Sequence, residues 1–144
     1  MKNLSVDDEL TLSSGISAFE AKHFPIAYDL LLPLAETGNP DAQYRLAIMA
    51  QAGLGMVVNK NSAVKWMRAA AEQGFGMAQH GLGFMYMDGD CVKQDYSQAV
   101  YWFKLAAEQG LAGAQVTLGN LYKEGQGVEQ DLEEAKRWFT MAGF

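Results

Sequence analysis

Apolar residues recur along this chain with helical spacing. Leu12, Ile16 and Phe19 form one such stripe, and Ala27, Leu30, Leu31 and Leu34 form a second. The run from Lys22 to Phe24 predicts a short turn between them. Ser5 offers a hydroxyl cap to the first helix, and Asp7, Asp8 and Glu9 place negative charge at its positive end. Pro33 falls inside the second stripe and predicts a kink, or strain, there. Gly38 ends that helix.

From there the pattern repeats every thirty-six residues. Ala42, Leu46, Gly53, Ala63, Trp66 and Ala70 recur as Ala78, Leu82, Gly89, Ala99, Trp102 and Ala106. They recur again as Ala114, Leu118, Gly125, Ala135, Trp138 and Ala142. A period of this length marks stacked supersecondary units. Each unit reads as a helix hairpin. Small residues on the first helix let its partner approach, and the larger ones fill what remains. Gly53, Gly89 and Gly125 stop the first helix, Met56, Val92 and Val128 tuck under the loop, and Asn59, Asp95 and Asp131 cap the second helix. Gln98 and Glu134 stand at capping-box spacing from their Asp. The second helices are expected to bury Trp66, Trp102 and Trp138. The spacing from Gly15 to Ala27 is shorter than that from Gly83 to Ala99, so the first unit is the same hairpin with a tighter connection. The expected fold is all-α: four helix hairpins, about eight antiparallel helices, in one repeat domain spanning 1–144. Its units are 5–37, 38–73, 74–109 and 110–144.

Composition changes this picture little. The 144 residues are 49% apolar, enough for a continuous core, and the formal net charge is −6. Lys and Arg are scattered singly, which argues against a nucleic-acid partner, because that affinity needs clustered positive charge. The one cysteine, Cys91, permits no intrachain disulfide and fits a reducing compartment. The first ten residues lack the apolar core of a secretory signal, and Met1 reads as a natural start. No stretch approaches the length of a membrane span. A cytoplasmic location is expected, without membrane insertion.

Candidate chemistry is sparse. Cys91 stands where the other long loops have Gly55 and Gly127, with no base or cation cluster beside it. His23 and His80 lack a metal-ligating neighbour. Gly81-x-Gly83 and Gly125-x-Gly127 have no strand before them and no Lys-Ser/Thr after them, so they are not phosphate loops. Asp88-Gly-Asp90 is too short for a calcium loop. No catalytic residue, cofactor or metal is expected.

The text AQHGLGFMYMDGDCVKQDYSQAVYWFKLAAEQG, its following copy from Ala114, and a more degenerate copy from Ala42 resemble Sel-1-like repeats, relatives of tetratricopeptide repeats. The first unit is more similar to a plain tetratricopeptide hairpin. The resemblance implies a right-handed α/α superhelix, or solenoid, that serves as a scaffold or adaptor for other proteins. Some members are secreted with a disulfide in each repeat; this chain lacks those cysteine pairs. By analogy with tetratricopeptide hairpins, the first helices line a concave groove. It would hold Leu12, Ile16 and Phe19, then Asp41, Tyr44, Ile48 and Gln51. Met77, His80, Phe84 and Met87 follow, and then Val116, Asn120 and Lys123. Such an apolar, Met-rich face suits a segment of a partner protein. Close superhelical packing of the same residues is the competing reading. An inhibitor or immunity-type protein, with an acidic surface meeting a basic bacterial enzyme, is a second function reading, and a hydrolase a third. The last helix has no capping helix after it, which suggests a homodimer through that end.

Overall fold

The computed structural model describes residues 4–144. Among these it contains eight α-helices and no strand. The chain divides into two compact units, one ending at Phe75 and one spanning Gly76–Phe144. The first contains α1 (Val6–Glu20), α2 (Phe24–Glu36), α3 (Pro40–Ala52) and α4 (Lys60–Glu72). The second contains α5 (Gly76–Asp88), α6 (Tyr96–Glu108), α7 (Ala112–Glu124) and α8 (Leu132–Met141). Consecutive helices pair as hairpins: α1 with α2, α3 with α4, α5 with α6, and α7 with α8.

The caps follow from the residue types. Ser5 accepts from Asp8 N, Asn39 from Ala42 N, Asn59 from Ser62 N, Asp95 from Gln98 N, and Asp131 from Glu134 N. Each oxygen satisfies a backbone donor that the helix itself cannot. The Glu134 carboxylate pairs with Arg137 at 2.9 Å. The helix α2 runs through Pro33 to Glu36, with Pro25 in its first turn. The turn before it contains Lys22 at φ 64, an uncommon conformation for a residue with a side chain.

Two requirements meet in the long loops. Gly53 and Gly125 close α3 and α7 in the left-handed conformation. Two residues later, Gly55 and Gly127 are again left-handed, and the loop also presses on the start of an earlier helix. A Cβ on Gly55 would lie 2.6 Å from Phe24 Cβ, and one on Gly127 would collide with the Tyr96 carbonyl. Cys91 adopts the same left-handed geometry, φ 66, with a side chain attached. Its thiol is half-exposed, 3.5 Å from Asp90 Oδ1.

The cores lie between hairpins as well as within them. In the first unit Ala27, Leu31, Leu34 and Ala35 of α2 meet Ala42, Leu46 and Met49 of α3. In the second, Val100, Phe103, Ala106 and Ala107 of α6 meet Ala114, Leu118 and Leu121 of α7. Fully burying each Leu or Phe contributes about 1.5–3 kcal/mol. Within hairpins the small residues do what their spacing suggested. A Cβ on Gly15 would lie 2.6 Å from Leu31, one on Gly83 2.9 Å from Phe103, and one on Gly119 2.8 Å from Phe139.

Trp102 and Trp138 are buried as expected. Their indole N–H groups have no acceptor in the protein, so their contribution is apolar area. Trp66 departs from the expectation. It is only half-buried, with Lys65 Nζ 4.6 Å from its ring centroid, and Met67 beside it is the fully buried residue.

Candidate interaction surface

The first helices of the hairpins present an accessible face in each unit. In the first unit Leu12, Ile16 and Phe19 of α1 and Tyr44, Ile48 and Gln51 of α3 are all half-buried. The Phe19 ring meets Phe24 edge-on at 5.7 Å. The Arg45 guanidinium lies over Phe19 at 5.1 Å, and its Nε donates to Asp41 Oδ1 at 2.8 Å. One cation is thereby held by an aromatic face and a carboxylate together. Tyr44 packs against Phe75, centroids 5.5 Å apart. Burial pushes its phenol pKa up, Arg45 lowers it by a lesser amount, and Asp41 raises it.

In the second unit Met77 is 43% exposed, while His80, Phe84 and Met87 on the same helix are half-buried. On α7, Val116 is half-buried, and Asn120 and Lys123 are exposed. His80, Phe84 and Phe103 form an aromatic triangle with centroids 4.8, 5.8 and 5.0 Å apart, each pair edge-on. Phe103 is fully buried, so His80 and Phe84 are the accessible edge of the core. His80 Nε2 is buried without a hydrogen-bond partner, and burial lowers the imidazole pKa. A neutral ring edge is what that apolar pocket accommodates.

All fourteen residues expected to line the groove are therefore accessible to some degree, and none is fully buried. Some of them are at the same time walls of the cores. Leu12 and Phe19 pack on the first cluster, and Phe84 and Met87 on the second. Among the described residues, no group of three or more His, Cys, Asp and Glu is placed to hold a metal ion. No described helix is long and apolar enough to cross a membrane.

Sequence reasoning missed the glutamines. Among the described residues, Gln43, Gln79 and Gln115 are the buried polar ones. Gln43 Nε2 donates to the Ala35 carbonyl at 3.1 Å, and Gln115 Nε2 to the Ala107 carbonyl at 3.1 Å. A first helix is thus tied to the end of the second helix before it. Gln73 Nε2 in turn donates to Gln43 Oε1 at 2.9 Å and to the Gly38 carbonyl at 2.9 Å; Gln109 Nε2 donates to Gln79 Oε1 at 2.7 Å. The signal was available: Gln43, Gln79 and Gln115 recur with the same period as the alanines beside them. A polar residue conserving the period of a core stripe is a candidate for burial with a partner.

The eight helices, paired as hairpins, define an all-α helical-repeat protein. Three segments, 40–75, 76–111 and 112–143, match the Sel1 repeat, and the chain belongs to the Sel1 repeat family. A solved Sel1 repeat protein from Oxalobacter formigenes is 35% identical, with a TM-score of 0.87 over 91% of this chain and 54% of its own. A protective antigen of uropathogenic Escherichia coli strains, displaying an SLR fold, is 43% identical, with a TM-score of 0.77 over 79% of this chain and 24% of its own. The cysteine-rich protein B of Helicobacter pylori shares the fold at 20% identity, with a TM-score of 0.60 over 96% of this chain and 89% of its own. The chain thus spans about half of the Oxalobacter protein and about a quarter of the E. coli antigen. No curated protein matches it. Proteins of the Sel1 repeat family generally mediate protein–protein interaction and are typically non-catalytic scaffolds.

Proposed function

We propose that this protein is a non-catalytic adaptor that holds a partner protein against the accessible face that the first helices present in each of its two units. The supporting observation is the half-buried state of those faces: Tyr44 packs against Phe75, and His80 and Phe84 against Phe103, while each of them, like Ile48, keeps part of its surface accessible. Anchors of this kind lose little conformational freedom on binding, so the apolar area they bury is converted to affinity with a small entropic penalty. Met77 adds an adaptable apolar contact. With Cys91 as the one cysteine, a reducing cytoplasm, in a bacterium like those of its relatives, is the compartment that fits.

Site-specific photo-crosslinking tests the reading. A photoreactive phenylalanine analogue at position 48 or 77 labels a first helix of one unit or the other; the same analogue at Lys65 or Tyr101 labels the second helices. Crosslinks to one partner protein from 48 and 77, and none from 65 and 101, are expected. Capture through 65 and 101 instead would overturn the assignment of the face.

A further inference from the structure

We infer that the first-helix face of the first unit takes a partner segment carrying an internal aspartate or glutamate, whose carboxylate is held by the free edge of the Arg45 guanidinium. The inference rests on the first-helix reading above and adds the chemistry of the partner. Arg45 is fixed from two sides. Its Nε donates to Asp41 Oδ1 at 2.8 Å, one turn back on α3, and its guanidinium carbon lies 5.1 Å from the centre of the Phe19 ring on α1. A guanidinium has five N–H donors, and this bond uses one. The four on Nη1 and Nη2 have no acceptor among the described residues, and neither nitrogen is buried. Turning the head away would break the Asp41 bond and the ring contact, so the fork is oriented before a ligand arrives.

The repeat itself requires neither member of this pair. One and two periods on, Asp41 becomes Met77 and Gly113, and Arg45 becomes Gly81 and Thr117. An accessible ion pair one turn apart adds little to stability. Arg45 is also the one Lys or Arg on α1 and α3. Its planar fork matches the two oxygens of a carboxylate, and such charge-assisted bonds are stronger than those to a neutral acceptor. Asp41 is bonded at Nε, so a carboxylate on the Nη edge lies nearer the guanidinium than Asp41, and attraction exceeds repulsion.

The apolar residues place that carboxylate inside the segment rather than at its end. Leu12 and Ile16 lie on α1, Tyr44 and Ile48 on α3, and all four are half-buried. The guanidinium reaches from α3 to the Phe19 ring of α1, between these two sets. A segment that covers both helices therefore passes across the fork and continues on either side of it. The net charge of −6 limits how acidic that segment is, because the whole chain repels a highly negative partner. One acid between apolar residues is the composition that fits.

Peptide display on the 144-residue protein tests this, with one library of random internal stretches and a second ending in a free C-terminus. Binders that wild type retains and Arg45→Gln loses are expected from the first library, sharing one Asp or Glu between apolar residues. Thermal melts should confirm that Arg45→Gln remains folded. In soluble copies of these peptides, changing the acid to its amide should weaken binding to wild type about tenfold or more, and binding to Arg45→Gln less than about twofold. Arg45→Lys keeps the charge and loses the fork, so it should bind the acidic peptides at least about threefold more weakly than wild type. An amide change that costs the same on both proteins overturns the inference, and so does full binding by Arg45→Lys. A selection with no Arg45-dependent binder overturns it too, as does one whose binders offer only a free C-terminus. Peptides that crosslink from position 48 yet ignore Arg45 would sink this inference and leave the first-helix reading standing; capture through 65 and 101 would sink that reading.

Discussion

Replacing Gly83 with alanine tests how closely the helices of one hairpin approach. The added Cβ would lie 2.9 Å from Cδ1 and Cε1 of Phe103 and 3.0 Å from its Cγ. The Phe103 ring is fully buried, with His80 and Phe84 edge-on to it, so it has no free direction of retreat. Overpacking of this kind costs about 1–3 kcal/mol. Alanine in a helix regains about 0.5–1 kcal/mol over glycine. The net loss should be between about 0 and about 2.5 kcal/mol, at about 2–4 °C per kcal/mol for a protein near this size. The same register in the preceding hairpin holds Ala47 and Met67, a larger residue against a thinner one. Gly83→Ala together with Phe103→Met should therefore be more stable than the sum of the two single changes predicts, by at least about 0.5 kcal/mol. Gly113→Ala is the control: its Cβ would meet only His80, at 3.5 Å, so it should stabilise by about 0.5–1 kcal/mol. Chemical denaturation of the four proteins and the control reads all of this. A Gly83→Ala that stabilises as Gly113→Ala does, or a double variant that is simply additive, would refute the close-contact argument.

Three further outcomes are expected. Trp102→Ala should cost about 3–5 kcal/mol in denaturant titrations, since the indole is 6% exposed; near-native stability would mean its burial contributes little. Gln43→Leu removes the acceptor of Gln73 and the donor to the Ala35 carbonyl, and should cost about 1–3 kcal/mol; an unchanged melting temperature would show that the amide chain is dispensable. His80 has its folded-state pKa lowered by burial from the ordinary 6.5. Its contribution to stability is thus complete above pH 6.5 and is lost as pH falls through the lower folded value. Melting curves of wild type and His80→Phe should therefore diverge below pH 6.5, with wild type losing more; parallel curves would contradict a buried neutral imidazole.

The repeat and its hairpins were legible without a structure, because each signal is local. Asn39, Asn59, Asp95 and Asp131 cap through backbone groups three residues away, and Gly53 and Gly125 end helices by their own φ. The alanine and leucine stripes set the period, and the period sets which helices meet. What tertiary structure decided depends on distance between hairpins. Trp66, Trp102 and Trp138 are identical in the sequence, yet one is half-buried and two are buried. Arg45 reaches Phe19 across twenty-six positions, and Gln73 reaches Gln43 across thirty. The residues expected to line the groove show the division most clearly. Their spacing put them on the first helices; only packing made Phe84 an edge of the core while leaving Met77 open to solvent. Periodicity assigns a residue to a face, but how far that face is covered depends on the side chains of the neighbouring hairpin, which lie far away in sequence.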